Sequence, residues 1–119
     1  MRNIMSLKIY HNPRCSKSRQ TLALLVERGE NPEIIEYLKQ APTPAEIREL
    51  AKLLGVRSLR DIMRTGEAIY KELDLKSVQD ADKLVQAIAD NPKLLERPIV
   101  VKDGKAAIGR PPENVLALF

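Results

Sequence analysis

The run His11-Asn12-Pro13-Arg14-Cys15-Ser16-Lys17-Ser18-Arg19 holds the only cysteine and the only histidine of the 119-residue chain. A thiol attacks as its thiolate, and with an ordinary pKa of about 8.5 it is mostly protonated at neutral pH. Arg14, Lys17 and Arg19 bring positive charge close by, and the N–H groups of a helix start favour both a thiolate and a bound oxyanion. A lone cysteine is more often a small buried hydrophobe. Here the flanks are polar and basic, and no apolar face of a helix or strand includes Cys15. The stretch therefore reads as an oxyanion cradle with a nucleophile in it. His11, four residues before Cys15, can stabilise the thiolate as an imidazolium or hydrogen-bond within the loop, and the residues alone leave both open. Asn12, Ser16 and Ser18 suit helix caps and loop donors, and Ser16 and Ser18 can also hydrogen-bond the thiolate. One cysteine and one histidine are too few ligands for a closed metal site.

The elements that must position this run are legible on either side of it. Leu7 to Tyr10 reads as a central strand, apolar apart from Lys8. Pro13 forbids an early helix, and Leu22, Leu25 and Val26 fall at helical spacing, so a helix from about Ser16 to Arg28 carries Cys15 in the loop at its start and stops at Gly29. Ile34-Ile35, within Pro32 to Glu36, predicts a parallel second strand reached by a right-handed crossover. Thr43-Pro44-Ala45-Glu46 spells a capping box with proline at the first helical position, followed by Ile47, Leu50, Ala51 and Leu54 on one face up to Gly55. Ser58 is placed to cap a short helix with Leu59, Ile62 and Met63, and Asp80 to Ala89 puts Ala81, Leu84, Val85 and Ile88 on one face before Asn91-Pro92. Ile99 to Val101 and Lys105 to Ile108 flank Asp103-Gly104, a strong two-residue hairpin signal. A last helix is expected over about Glu113 to Leu118, and Met1 to Ser6 reads as a loose start.

The length predicts one domain, 1–119. Hydrophobic residues make up 44% and charged residues 30%, an ordinary soluble composition, and the N-terminus lacks the apolar stretch of a signal peptide, so a cytoplasmic protein is expected. A single cysteine excludes an internal disulfide and suits a reducing compartment. Any disulfide chemistry must then be shared with another molecule. The formal charge of +4 fits an anionic ligand, but without basic blocks or interleaved aromatics neither a nucleic-acid nor a membrane partner is expected.

Taken together, Tyr10 to Leu22, Glu96-Arg97-Pro98-Ile99-Val100-Val101 and Gly109-Arg110-Pro111-Pro112-Glu113 resemble the glutathione/glutaredoxin-coupled arsenate reductases of the thioredoxin-like superfamily. The resemblance covers nearly the whole chain, in the expected order. It implies an α/β fold with thioredoxin-like β-α-β and β-β-α halves and a helical insertion between them. It matches Cys15 to the nucleophile that attacks arsenate, and Arg64, Arg97 and Arg110 to the arginines that hold substrate and product. Guanidinium suits that task because it keeps its charge and grips tetrahedral oxyanions bidentately. His11 falls near the thiol, as an accessory with Ser16 and Ser18, and Pro98 falls where such proteins place a cis-proline. No bound cofactor is implied. Glutathione is the co-substrate, glutaredoxin the partner that resolves the mixed disulfide, and a monomer is expected. The best-known members carry Gly-Thr after the cysteine, whereas this chain has Ser16-Lys17. Regulators of the same fold typically carry a Cys-x-x-Cys switch, which Ser18 at the fourth position excludes. Two other readings stay open: a regulatory or interaction protein on the same frame, and a glutathione-dependent reductase of another substrate.

Overall fold

The computed structural model describes residues 7–119, so the expected loose start at Met1 to Ser6 lies outside the described residues. The described residues divide into two compact units, one formed by 7–37 with 97–119 and the other by 38–96.

The first unit is built on a four-stranded sheet. Its strands are β1 (Leu7–His11), β2 (Glu33–Glu36), β3 (Ile99–Lys102) and β4 (Lys105–Ile108), in the order β2-β1-β3-β4. β1 pairs with β2 in parallel and with β3 antiparallel, and β3 pairs antiparallel with β4. The parallel pair requires a crossover, supplied by α1 (Ser16–Glu27). Ile9 lies opposite Val100 and Val100 opposite Ala107, which puts the three on one face of the sheet. Leu22 and Leu25 of α1 and Val115 and Leu118 of the C-terminal segment complete the core there. The hairpin turn has φ 46° at Asp103 and 82° at Gly104, the left-handed pair that a two-residue turn needs to follow the strand twist. The expected last helix is present as a 3-10 helix, Pro112–Leu118.

The second unit is helical. α2 (Pro44–Leu54) opens with the capping box: Thr43 Oγ1 accepts from Glu46 N–H at 3.1 Å, and Glu46 Oε1 accepts from Thr43 N–H at 2.8 Å. The stretch after Ser58 is a 3-10 turn, Leu59–Ile62. Sequence periodicity passed over α3 (Ala68–Glu72), a five-residue helix whose N-cap Glu67 makes no side-chain cap and whose buried residue is Tyr70 alone. α4 (Ala81–Asp90) follows Asp80, whose side chain accepts from Asp82 N–H. Arg60 ties these pieces together, donating to the Tyr70 hydroxyl at 2.9 Å and to the carbonyls of Leu75 and Val78 at 2.7 Å. Among the described residues no helix is long and apolar enough to cross a membrane.

Candidate active site

Cys15 is the residue that precedes the first turn of α1, in extended conformation (φ −92°, ψ 123°). The loop leading to it is self-supporting. Cys15 N–H donates to Asn12 O at 3.0 Å, Asn12 Oδ1 accepts from Arg14 N–H at 3.0 Å, and Arg19 Nη1 donates to Pro13 O at 2.9 Å. The thiol is partly exposed and makes no closed cap hydrogen bond, yet its pKa lies below the ordinary value. Burial is the largest single influence and pushes it up. The Ser18 N–H, the Arg97 charge, the Lys17 N–H and the Arg110 charge together outweigh burial. Lys17 thus acts through its backbone, and the side-chain charges that favour the thiolate come from the other end of the chain.

His11 is not part of the cysteine loop but the last residue of β1, opposite Glu36. It is buried, and its Nδ1 lies 2.6 Å from Ser18 Oγ. Burial lowers its pKa, with the Glu36 charge opposing and the Arg19 charge assisting. An ordinary imidazole pKa is about 6.5, so His11 is neutral at neutral pH. Of the two roles left open by the sequence, the structure shows a hydrogen bond, which runs from the end of β1 to α1 rather than within the loop. Ser18 Oγ also accepts the Asn12 N–H at 3.0 Å, so this fully buried hydroxyl ties the strand end to the helix start. It is the Ser18 backbone, not its hydroxyl, that bears on the thiol. Ser16 is exposed at the first helical position.

Arg97 and Arg110 are brought together by the β3–β4 hairpin. Ile99 pairs with Ile108, and just beyond that pair Gly109 N–H donates to Pro98 O at 2.9 Å. Arg110 Nη1 reaches Arg97 O at 3.4 Å, and Asn114 holds Arg110 O at 3.0 Å. The Arg97–Pro98 bond is cis, as the resemblance implied, and so is Arg110–Pro111. Arg64 belongs to the second unit, where it forms an ion pair with Glu67 at 2.6 Å.

Sequence reasoning passed over Thr21 and Gly109. Thr21 is fully buried and its hydroxyl lies 2.8 Å from Lys17 O and 3.4 Å from Gly109 O. The signal was there to be read: Ser18 and Thr21 occupy the first positions of the stripe that continues as Leu22 and Leu25, so two polar residues had to be buried with partners. Among the described residues no group of three or more His, Cys, Asp or Glu could hold a metal ion.

The family model described as the ArsC family matches residues 10–118. A protein named arsenate reductase from Neisseria meningitidis serogroup A is 51% identical over 114 residues, 95% of this chain and 97% of that one. A protein of Escherichia coli K12, called the uncharacterized protein YfgD, is 57% identical over 113 residues, 94% of this chain and 95% of its own. A solved structure titled arsenate reductase from Vibrio cholerae superposes with a TM-score of 0.95 at 51% identity, covering 98% of this chain and 100% of that one.

Proposed function

This chain belongs to the ArsC family, and on that premise we propose that it reduces arsenate to arsenite, with Cys15 as nucleophile and glutathione and a glutaredoxin as reductants. The observation that carries the reading is the thiol at the start of α1, held below its ordinary pKa by the N–H groups of Ser18 and Lys17 and the charges of Arg97 and Arg110. A thiol whose ionisation is favoured, beside two permanent guanidinium charges, suits attack on a tetrahedral oxyanion.

In this mechanism Cys15 Sγ forms a bond to arsenic and one arsenate oxygen leaves as water. Arg97 and Arg110 hold the remaining oxygens and offset the charge gathered on them. A glutathione thiolate then attacks Cys15 Sγ. The S–As bond breaks with its electron pair left on arsenic, which passes from As(V) to As(III), and Cys15 becomes a mixed disulfide with glutathione. Glutaredoxin takes the glutathionyl group and returns Cys15 as thiolate. Two thiols are oxidised to one disulfide for each arsenic reduced, which is how a chain with one cysteine completes the cycle.

The test is arsenite formation with arsenate, glutathione and glutaredoxin supplied together and with each omitted. Turnover that needs all three supports the full reading. Turnover with another thiol donor in place of glutathione and glutaredoxin rejects the coupling while keeping the arsenate chemistry. A reduced, reactive Cys15 with no turnover on arsenate moves the same thiolate to another substrate or to a regulatory role.

A further inference from the structure

The two arginine-bearing positions and the cysteine-bearing helix start come from opposite ends of the sequence, and one crowded contact joins them. Gly109 lies between the Thr21 side chain on α1 and the Pro98 ring. A Cβ built at Gly109 would stand 2.5 Å from Thr21 Oγ1, 2.9 Å from Pro98 Cγ and 3.0 Å from Thr21 Cγ2. Real Cβ atoms essentially never come within 3.0 Å of a non-bonded heavy atom, and both Thr21 Oγ1 and Pro98 Cγ stand inside that limit. Rotating Thr21 does not clear the ring of Pro98, and it gives up the 2.8 Å hydrogen bond to Lys17 O. Gly109 is also the covalent neighbour of Arg110, and Pro98 that of Arg97. Across the slot, Gly109 N–H holds Pro98 O at 2.9 Å and the Thr21 hydroxyl lies 3.4 Å from Gly109 O.

We propose that Thr21 and Gly109 are positioning residues: their close contact, available only to a residue without a side chain at 109, sets how near Arg97 and Arg110 stand to the helix start that carries Cys15. The inference rests on the anion-site reading of those arginines but not on arsenate being the anion. Thr21 lies on the face of α1 that Ser18 begins. Its hydroxyl fastens to the carbonyl of Lys17, whose N–H is one of the groups facing the thiol. A side chain at 109 pushes the arginine pair away from α1, because the strand behind it is fixed by the β3–β4 ladder.

The experiment compares wild type, Gly109→Ala, Thr21→Val, Thr21→Ala and the Gly109→Ala/Thr21→Ala pair by pH-dependent alkylation of Cys15 and by steady-state kinetics with arsenate. Gly109→Ala is expected to move the thiol midpoint upward and to lower kcat/KM about tenfold, mainly through KM, since small misplacements of binding groups are costly. The double variant regains part of the loss, because the Thr21 atoms that the introduced methyl group would strike are gone. Thr21→Val keeps the shape without the hydroxyl and shifts the midpoint the same way by less. Wild-type midpoints in Gly109→Ala and Thr21→Val overturn the proposal, as does a double variant no better than Gly109→Ala. If Gly109→Ala fails to fold, Thr21→Val decides by its midpoint. If the wild type turns over no arsenate, the alkylation profiles still decide, and only the assigned substrate falls.

Discussion

Replacing Ser18 by alanine removes a side chain that joins the end of β1 to the start of α1. Two hydrogen bonds end on its Oγ: the 2.6 Å contact with His11 Nδ1 and the 3.0 Å bond from Asn12 N–H. Each such bond contributes about 1 kcal/mol net, and stranding a buried polar atom costs about 1–3 kcal/mol more. Ser18 is fully buried and His11 nearly so, whereas the Asn12 contact is part-buried and its amide can regain water. The imidazole nitrogen therefore dominates, and Ser18→Ala is expected to cost about 3 kcal/mol in all. For a chain of this length that corresponds to a melting temperature lower by about 10 °C. The companion Ser16→Ala is exposed at the first helical position and is expected to stay within about 0.5 kcal/mol of wild type. Urea unfolding monitored by circular dichroism reads both. Ser18→Ala within about 0.5 kcal/mol of wild type would refute the assignment of this hydroxyl as the tie between strand and helix.

Cys15 should react with iodoacetamide along a pH profile whose midpoint lies below the ordinary thiol value, and a profile at that value would remove the case for an activated nucleophile. Because folding favours the thiolate, the stability Cys15 contributes is complete above the unfolded thiol pKa and is lost as pH falls through the lower folded value, so the gap between wild type and Cys15→Ser should narrow in that direction. Arg97→Ala and Arg110→Ala should each raise KM for arsenate about 10–100-fold, the loss of one charge-assisted contact; unchanged kinetics in both would end the arginine argument. Arg64→Ala should lower kcat/KM for arsenate if the role implied for it holds, and Glu67→Ala separates that role from loss of their ion pair; wild-type kinetics in Arg64→Ala would take Arg64 out of the site.

The elements written most plainly in the sequence are those whose local and long-range signals agree. The capping box at Thr43, the apolar stripe of α4 and the Asp103-Gly104 turn each combine a punctuation residue with a matching period, and each is found where expected. The thioredoxin-like fold and the family were legible because their motifs sit in separated places in a fixed order. Short α3 was not, since one helical turn with a single buried residue leaves no period to detect. At the site, the placement of Cys15 before α1 followed from Pro13 and the helical spacing beyond it. Residue types and spacing alone did not assign which charges face the thiol; Arg97 and Arg110 were named only through the family resemblance. Arg14, Lys17 and Arg19 are its neighbours in the chain, but Arg19 is turned to the Pro13 carbonyl, and Arg97 and Arg110 supply the side-chain charge through hairpin register. Nor could it separate Ser16 from Ser18, two residues apart and chemically identical, until one proved exposed and the other buried on His11.

The most direct measurement is arsenite production from arsenate by purified wild type and Cys15→Ser, with glutathione, glutaredoxin and NADPH-coupled recycling. The account predicts steady turnover by the wild type and none by a folded Cys15→Ser. Turnover retained in Cys15→Ser would contradict it, because no other cysteine in the chain can form the bond to arsenic.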